Sequence, residues 1–314
     1  MMCVGLTVTY LTTKVPNFAI GDFVTTGIYS SAAAFILWNV SSPYLTTPIA
    51  FIFGALASII VYLGVLRPLI RRGSSLVILM VATLAVDIVF TGVDLLFIDY
   101  MNGHYGRILS DKGYTFYNLY SLPDFQLFGE SGLLIVAPLA LILMTTSMYF
   151  LLNKTKFGIA MRAAIENANL AKTLGINVER VYLFSWFIAG GLEGLAGGFF
   201  AIAFTTQQNQ ASLIIVTIFA GSVLGGLSSI YGAIVGGVII GVGEIYITGS
   251  LVAIVSSIFG TSAGSQILDF QKGIPLAIMI VALLFAPEGL IALRWNRLQD
   301  FVGIARKRFL GGKK

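Results

Sequence analysis

Lys154-Thr155-Lys156-Phe157-Gly158-Ile159-Ala160-Met161-Arg162-Ala163-Ala164-Ile165-Glu166-Asn167-Ala168-Asn169-Leu170-Ala171-Lys172-Thr173-Leu174-Gly175-Ile176-Asn177-Val178-Glu179-Arg180 is the one long polar interruption on the basic side of this chain, with apolar runs on either side. Ala, Met, Leu, Glu, Lys and Arg are good helix formers, so most of the stretch is expected to be helical, with Asn167 as a cap between two short pieces. Gly175 is the expected stop, because glycine reaches a left-handed cap without steric cost. From Lys156 to Arg180, setting aside Glu179 beside Arg180, four positive charges accompany one negative charge, Glu166. A compact amphipathic element of this kind between membrane spans lies on the lipid surface or enters a groove on a soluble partner. An ordinary connecting loop is the plainer reading.

Working outward, composition fixes the class. Hydrophobic residues make up 57% of the 314, charged residues 11%, and the mean hydropathy is +0.91. These values exclude a water-exposed globule. Apolar runs of about 20 residues recur along the chain and match a hydrocarbon core of about 30 Å at a helical rise of about 1.5 Å per residue. Strand alternation is absent, so the expected fold is all-α: a polytopic transmembrane bundle of about eight spans with re-entrant or broken segments, forming one transmembrane domain over 1–314. Cys3 is the only cysteine, which excludes an internal disulfide and a cysteine-based metal cluster.

The chain in order gives the spans. Met1 to Thr13 is too short to cross, lacks the basic start of a signal peptide and reads as the tail of a helix. Val15 to Asp22, with Pro16, Asn17 and Gly21, is expected to break a helix at membrane depth, which is tolerated only against protein or a water-filled cavity. The spans are then Phe23 to Trp38, Ile49 to Leu66, Leu76 to Leu96, Gly132 to Leu152, Val181 to Phe204, Leu213 to Leu224, Ala233 to Thr248 and Gly273 to Phe285. Phe97 to Glu130 is expected to be the main external loop and Gly249 to Lys272 an external, partly re-entrant segment. Glycines 190, 191, 194, 197 and 198 lie at small-residue spacings that let helices approach closely.

Charge orients the bundle. Fifteen of nineteen Lys and Arg fall in the loop after Leu66, in 154–180 and in the basic tail 291–314, so these sides and the C-terminus are expected to be cytoplasmic. The tail basics, Arg294 to Lys314, suit anionic lipid headgroups rather than nucleic acid. Five tyrosines of the external loop, Tyr100 to Tyr120, suit an interfacial aromatic belt or contact with an external protein.

Catalytic and cofactor signals are thin. His104 has no metal-ligand partner motif, and no glycine-rich phosphate loop is present, so neither metal, cofactor nor ATP hydrolysis is assigned to this chain. Intramembrane carboxylates stand out because charge there is costly: Asp87 and Asp94, seven residues apart on one helical face, and Glu193 and Glu244 in glycine-rich helices. Asp94 lies near the outer end, where water could solvate it, and Glu244 could serve as a helix-to-helix hydrogen-bonding group. Candidates for lining a translocation pathway are Asn17, Phe18, Gly21 and Asp22 of the break, with Glu193; a tight packing bend is the alternative for the break.

Asn17-Phe18-Ala19-Ile20-Gly21-Asp22, Leu66-Arg67-Pro68-Leu69, Phe157-Gly158 through Glu166-Asn167 to Leu174-Gly175-Ile176, Gly190-Gly191 to Gly197, Gly225-Gly226-Leu227-Ser228-Ser229 and Phe285-Ala286-Pro287-Glu288-Gly289-Leu290 occur in this order along nearly the whole chain. Together they resemble the permease subunits of branched-chain amino-acid ABC importers, and within them the members carrying Asn-Phe-Ala-x-Gly. The resemblance implies that Gly158 to Ile176 contains a coupling helix that docks on a cytoplasmic ATPase, with Arg162, Glu166, Asn167, Leu170, Ala171 and Gly175 as the coupling set. It implies two ATPase subunits, a second, related permease subunit and an external substrate-binding protein. It also expects a complete helix ahead of Gly5 to Tyr10, of which this sequence holds the end. Urea and short amides are alternative cargo within the family, and an ion-coupled secondary transporter is the alternative outside it.

Overall fold

The structure, a computed structural model, describes residues 1–127, 129–260, 266, 270–285 and 289–290. The chain divides into two compact units, Met1–Phe219 and the part from Ala220 on, each taken by itself below. In the first unit α1 (Met2–Thr13) precedes α2 (Ile20–Trp38). A 3-10 turn (Pro43–Thr46) then leads into α3 (Thr47–Val61), which continues through a π turn (Tyr62–Leu66) into α4 (Arg67–Arg71). After these come α5 (Leu76–Asp111), α6 (Leu133–Lys154), α7 (Lys156–Glu166), α8 (Ala168–Thr173), α9 (Val178–Ala203) and the start of α10 (Gln210–Gly225). The second unit holds the end of α10, α11 (Ile230–Phe259) and α12 (Gly273–Phe285).

Six helices among the described residues are long and apolar enough to cross a membrane: Ile20–Trp38, Pro43–Arg71, Leu76–Asp111, Leu133–Lys154, Val178–Ala203 and Ile230–Ile258. Helices α1, α10 and α12 are apolar but shorter. The eight expected spans are the six long helices with α10 and α12. The chain is thus an all-α, polytopic membrane bundle.

Three boundaries differ from those read in the sequence. Helix α5 runs on to Asp111, through what composition marks as loop. Its extension is held by tertiary packing: Ile98, Met101 and Leu109 are buried, and Asn102 accepts from the Phe116 N–H (3.0 Å). His104 therefore lies on a helix, stacked on Tyr100 with centroids 5.5 Å apart. Helix α11 likewise continues to Phe259, because the apolar run from Leu251 to Ile258 outweighs the modest helix penalty of Gly249. The break between α1 and α2 closes at Ala19, so Gly21 and Asp22 stand in the first turn of α2 rather than in irregular backbone. Four two-residue strands also form. Asn118–Leu119 pairs with Thr206–Gln207, and Gln126–Leu127 with Glu130–Ser131.

The core of the first unit is α2, α3 and α9. The apolar windows of α2 and α9 are 78% and 61% buried, against 17% for α5 and 11% for α6, which show apolar faces to the surroundings. Backbone meets backbone where the sequence shows its glycines. A Cβ on Gly194 would stand 2.2 Å from the Ala50 carbonyl oxygen and one on Gly27 2.2 Å from that of Gly194. Close approach of this kind is how helices associate where no hydrophobic drive separates them from lipid. Near the end of α3 the Tyr62 ring stacks on Trp186 of α9 at 5.6 Å, and Ser58 donates to the Trp186 carbonyl (2.8 Å). The π turn lies directly before Pro68, whose ring would otherwise clash with the carbonyl four residues back.

The helices of the first unit share two ends. At one, Arg67 and Arg71 meet Glu179 of α9. At the other, the Tyr44 hydroxyl donates to Asp124 (2.7 Å), the Leu122 N–H to the Ala201 carbonyl (2.9 Å) and Lys112 to the Ile36 carbonyl (2.5 Å). Eight of the eleven Lys and Arg between Met1 and Phe219 belong to the first end, which is therefore the basic end. Partial burial alone would raise the Asp124 carboxyl. Hydrogen bonds from Ser131, Tyr44 and the Leu133 N–H outweigh that and hold it below the usual carboxylate range.

In the second unit, Ser229 caps α11 by accepting from the Gly232 N–H (3.2 Å), and Ala220, Leu224 and Ile240 pack with Ile278, Met279 and Leu290. Glu244 is 5% exposed and accepts from Lys272 (2.7 Å) and Gln271 (3.1 Å), which is the hydrogen-bonding role that its place in a glycine-rich helix suggests. Ala286-Pro287-Glu288 and the basic tail 291–314 lie outside the described residues.

Candidate functional site

The stretch from Lys154 to Arg180 folds as two short helices at the basic end. Thr155 opens α7 by accepting from the Gly158 N–H (3.1 Å), and Asn167 closes α7 and opens α8 by accepting from the Leu170 N–H (3.0 Å). Each cap satisfies one of the amide donors that a helix start leaves without a partner. Gly175 ends the element at φ +83°. Its N–H donates to the Lys172 carbonyl and the Ile176 N–H to that of Ala171, both at 3.0 Å, a Schellman closure. Asn177 then caps α9 by accepting from the Arg180 N–H (3.1 Å).

The element is pinned to the spans on both sides. Gly158 sits so close to the end of α6 that a Cβ there would stand 2.1 Å from the Leu152 carbonyl oxygen. Arg162 donates to that same carbonyl, where the negative end of the α6 dipole favours a cation. Phe157 packs edge-on against Phe184 of α9 with centroids 4.7 Å apart, and Tyr182 donates to the Ala164 carbonyl (3.4 Å). What remains outward is a mixed apolar and polar face. Leu174 is 72% exposed, Ile159 59% and Leu170 58%, beside exposed Glu166 and Asn167. Of the six coupling residues, Arg162 turns back onto α6 and Ala171, 1% exposed, lies on the buried face of α8. Glu166, Asn167, Leu170 and Gly175 form the outward set.

The pathway candidates are brought together only in part. Asn17 is buried and its side-chain oxygen accepts from the Ala19 N–H (3.1 Å), which shapes the entry to α2. The Phe18 N–H donates to Thr83 of α5 (3.3 Å), its ring stacks on Phe219 (5.1 Å), and Gly21 lets the backbone of Ala211 approach. Asp22 is fully buried, with no hydrogen-bond partner on either oxygen. Thr25 donates to Asp94 (2.8 Å), which is buried rather than solvated. Glu193 packs instead on α1, against Gly5. None of these five pathway candidates lines the cleft of about 370 Å³ among α2, α3 and α5, where Asp94, Thr26, Tyr29 and Ser30 stand among aromatic and aliphatic walls.

Sequence reasoning missed the clamp between Arg67, Arg71 and Glu179. Arg67 Nη2 donates to Glu179 Oε2 (2.6 Å) and Arg71 Nε to Glu179 Oε1 (2.8 Å). The signal was two arginines and one glutamate at helix ends that the charge count already places on the same side.

A bundle of apolar helices with a capped, outward-facing element on its basic end defines a multi-pass membrane protein. Comparison with known proteins sharpens this. The family described as "Branched-chain amino acid transport system / permease component" matches residues 1–283. The chain is 43% identical over 305 residues, 95% of its length, to the probable branched-chain amino acid transport permease protein LivH of Methanocaldococcus jannaschii, of which the match covers 90%. It is 28% identical over 138 residues to the high-affinity branched-chain amino acid transport system permease protein LivH of Escherichia coli K12, 44% of this chain and 40% of that one. It is 29% identical over 170 residues to the ribose import permease protein RbsC of Bacillus subtilis, 51% of this chain and 49% of that one. No solved structure matches. The chain belongs to the branched-chain amino acid transport permease family.

Proposed function

We propose that this chain is the membrane-spanning permease subunit of an ABC importer that carries branched-chain or related amino acids inward, moved by two ATPase subunits that dock on residues 154–180. The observation that carries the reading is the capped α7/α8 element: exposed at Leu170, Leu174 and Glu166, yet fixed to α6 and α9 through Gly158, Arg162 and Phe157. A surface that is apolar enough to enter a groove and stiff enough to pass on a displacement suits a nucleotide-driven partner. The basic end then faces the cytoplasm, together with the C-terminus, by the positive-inside rule. A second permease chain completes the conduit, and the opposite end, with its short strand pairs, receives an external binding protein. The transport roles named for the relatives above favour branched-chain amino acids as cargo, with ribose import in one relative matched across about half its length.

The test is reconstitution of the chain with a second permease, ATPases and a binding protein in proteoliposomes. Glu166→Arg is expected to leave insertion intact and to abolish both ATP-driven leucine uptake and stimulation of ATP hydrolysis. Survival of both activities overturns the docking assignment. Uptake by this chain alone along an ion gradient overturns the importer reading.

A further inference from the structure

At the basic end, outside the docking element, α3 gives way to an arginine-lined hollow. Ile52, Leu56 and Ile60 of α3 and Leu63 of the π turn, spaced by three and four, form one outward stripe, and each is between 39% and 64% exposed. The next position in that progression is Arg67. There a cavity of about 330 Å³ opens, bounded by Leu63, Arg67, Pro68, Arg71 and Arg72, with open space beside Gly64 as well.

The charges of this hollow do not balance. Arg67 and Arg71 share the single carboxylate of Glu179, and Arg72 makes no ion pair among the described residues, so three guanidinium groups face one carboxylate. The Nε of Arg67 is buried with no acceptor. A buried guanidinium donor without an acceptor is costly, and the group that best fits a fork of such donors is a phosphate. A dissolved anion would account for the arginines but not for the apolar stripe that ends in them. A phosphodiester carrying an acyl chain accounts for both, and the junction of an apolar helix with an arginine cluster is the depth at which headgroups lie.

We propose that the hollow bounded by Leu63, Arg67, Pro68, Arg71 and Arg72 binds the headgroup of an anionic phospholipid, whose acyl chain lies along Ile52, Leu56, Ile60 and Leu63. The phosphate competes with Glu179 for the arginines. Glu179 is three residues past Ile176, where the docking element closes, so the lipid acts on the clamp that ties the start of α9, next to this element, to α4.

The inference rests on the membrane location of the chain and not on its transport role, so the readout is lipid binding rather than uptake. The purified full-length chain, in detergent, is titrated with phosphatidylglycerol and with phosphatidylcholine and followed by native mass spectrometry. Phosphatidylglycerol is expected to be held in preference. Arg72→Gln, an exposed change with no ion pair to break, is expected to reduce that preference about fivefold, the effect of one interfacial cation. Lys154→Gln, at the same end but outside the hollow, is expected to leave it unchanged. Glu179→Gln is expected to strengthen phosphatidylglycerol binding, a direction that loss of a purely structural clamp would not produce. Equal retention of the two lipids, equal weakening by Arg72→Gln and Lys154→Gln, weaker binding in Glu179→Gln, displacement by millimolar inorganic phosphate, or loss of the lipid on assembly with a second permease chain would each overturn the proposal.

Discussion

The glycine seam of α2, α3 and α9 and the capped element of α7 and α8 are held together in different ways. In the seam, backbone touches backbone, so a single added methyl group meets a main-chain oxygen that cannot move aside. In the capped element the helix ends are set by local hydrogen bonds, from caps and closures a few residues apart, with Arg162 and Tyr182 adding ties to α6 and α9, and much of the surface is open. The seam therefore fixes which sequence is possible, while the element fixes only its shape and leaves its outward face free to be matched to something else.

Substitutions can break or sharpen that contrast. The largest effect is expected for Gly194→Leu, whose side chain would have to displace the Ala50 and Gly54 backbones. A loss of at least about 3 kcal/mol follows, beyond ordinary overpacking, and size-exclusion chromatography should show no monodisperse protein. Gly175→Pro comes next. Proline cannot reach the left-handed backbone and removes the N–H that bonds Lys172, a local cost of about 3 kcal/mol. Hydrogen exchange should increase from Leu170 to Ile176 while the melting temperature of the bundle holds and transport is lost. Asn167→Ala removes one cap, about 1 kcal/mol, and should fray the start of α8 only. If Asn167→Ala lowered the melting temperature as far as Gly194→Leu, the contrast between the two regions would be false.

The smallest effect is on pH dependence at the opposite end. The hydrogen bonds to Asp124 hold its carboxyl below the unfolded value of about 3.9, so its stabilisation is complete above that pH and lost as pH falls through the folded value. Amide protection at Leu122 should hold from neutrality to about pH 4 and decline below it. Asp124→Asn should lower that protection at every pH and remove the acid dependence. A wild-type decline centred above pH 5 would show that another group governs this region.

What could be read from the sequence follows the same division. Asn167 as a cap and Gly175 as a stop are local statements, made by one side chain and its near neighbours. The glycine run of α9 also announces itself, because only close packing explains so many small residues in one span. The extension of α5 was hidden because Asp99, Asn102, Gly103 and Gly106 look like loop residues. The 3- and 4-residue spacing of Ile98, Met101, Tyr105 and Leu109 was the signal that could have revealed it. The hydrogen bond from Thr25 to Asp94 joins residues 69 positions apart, which no spacing rule reaches.

Helix α9 begins beside the capped α7/α8 element and ends at Ala203, two residues beyond the carbonyl that accepts from Leu122. Its 26 residues make a rod of about 39 Å. Fastened at Glu179 on one water-facing side and at Ala201 on the other, it has no free end. Under the proposed docking, a push that tilted its first turn would be carried to the strand pair beyond its last, so that both aqueous compartments would read the same mechanical event from a single piece of backbone.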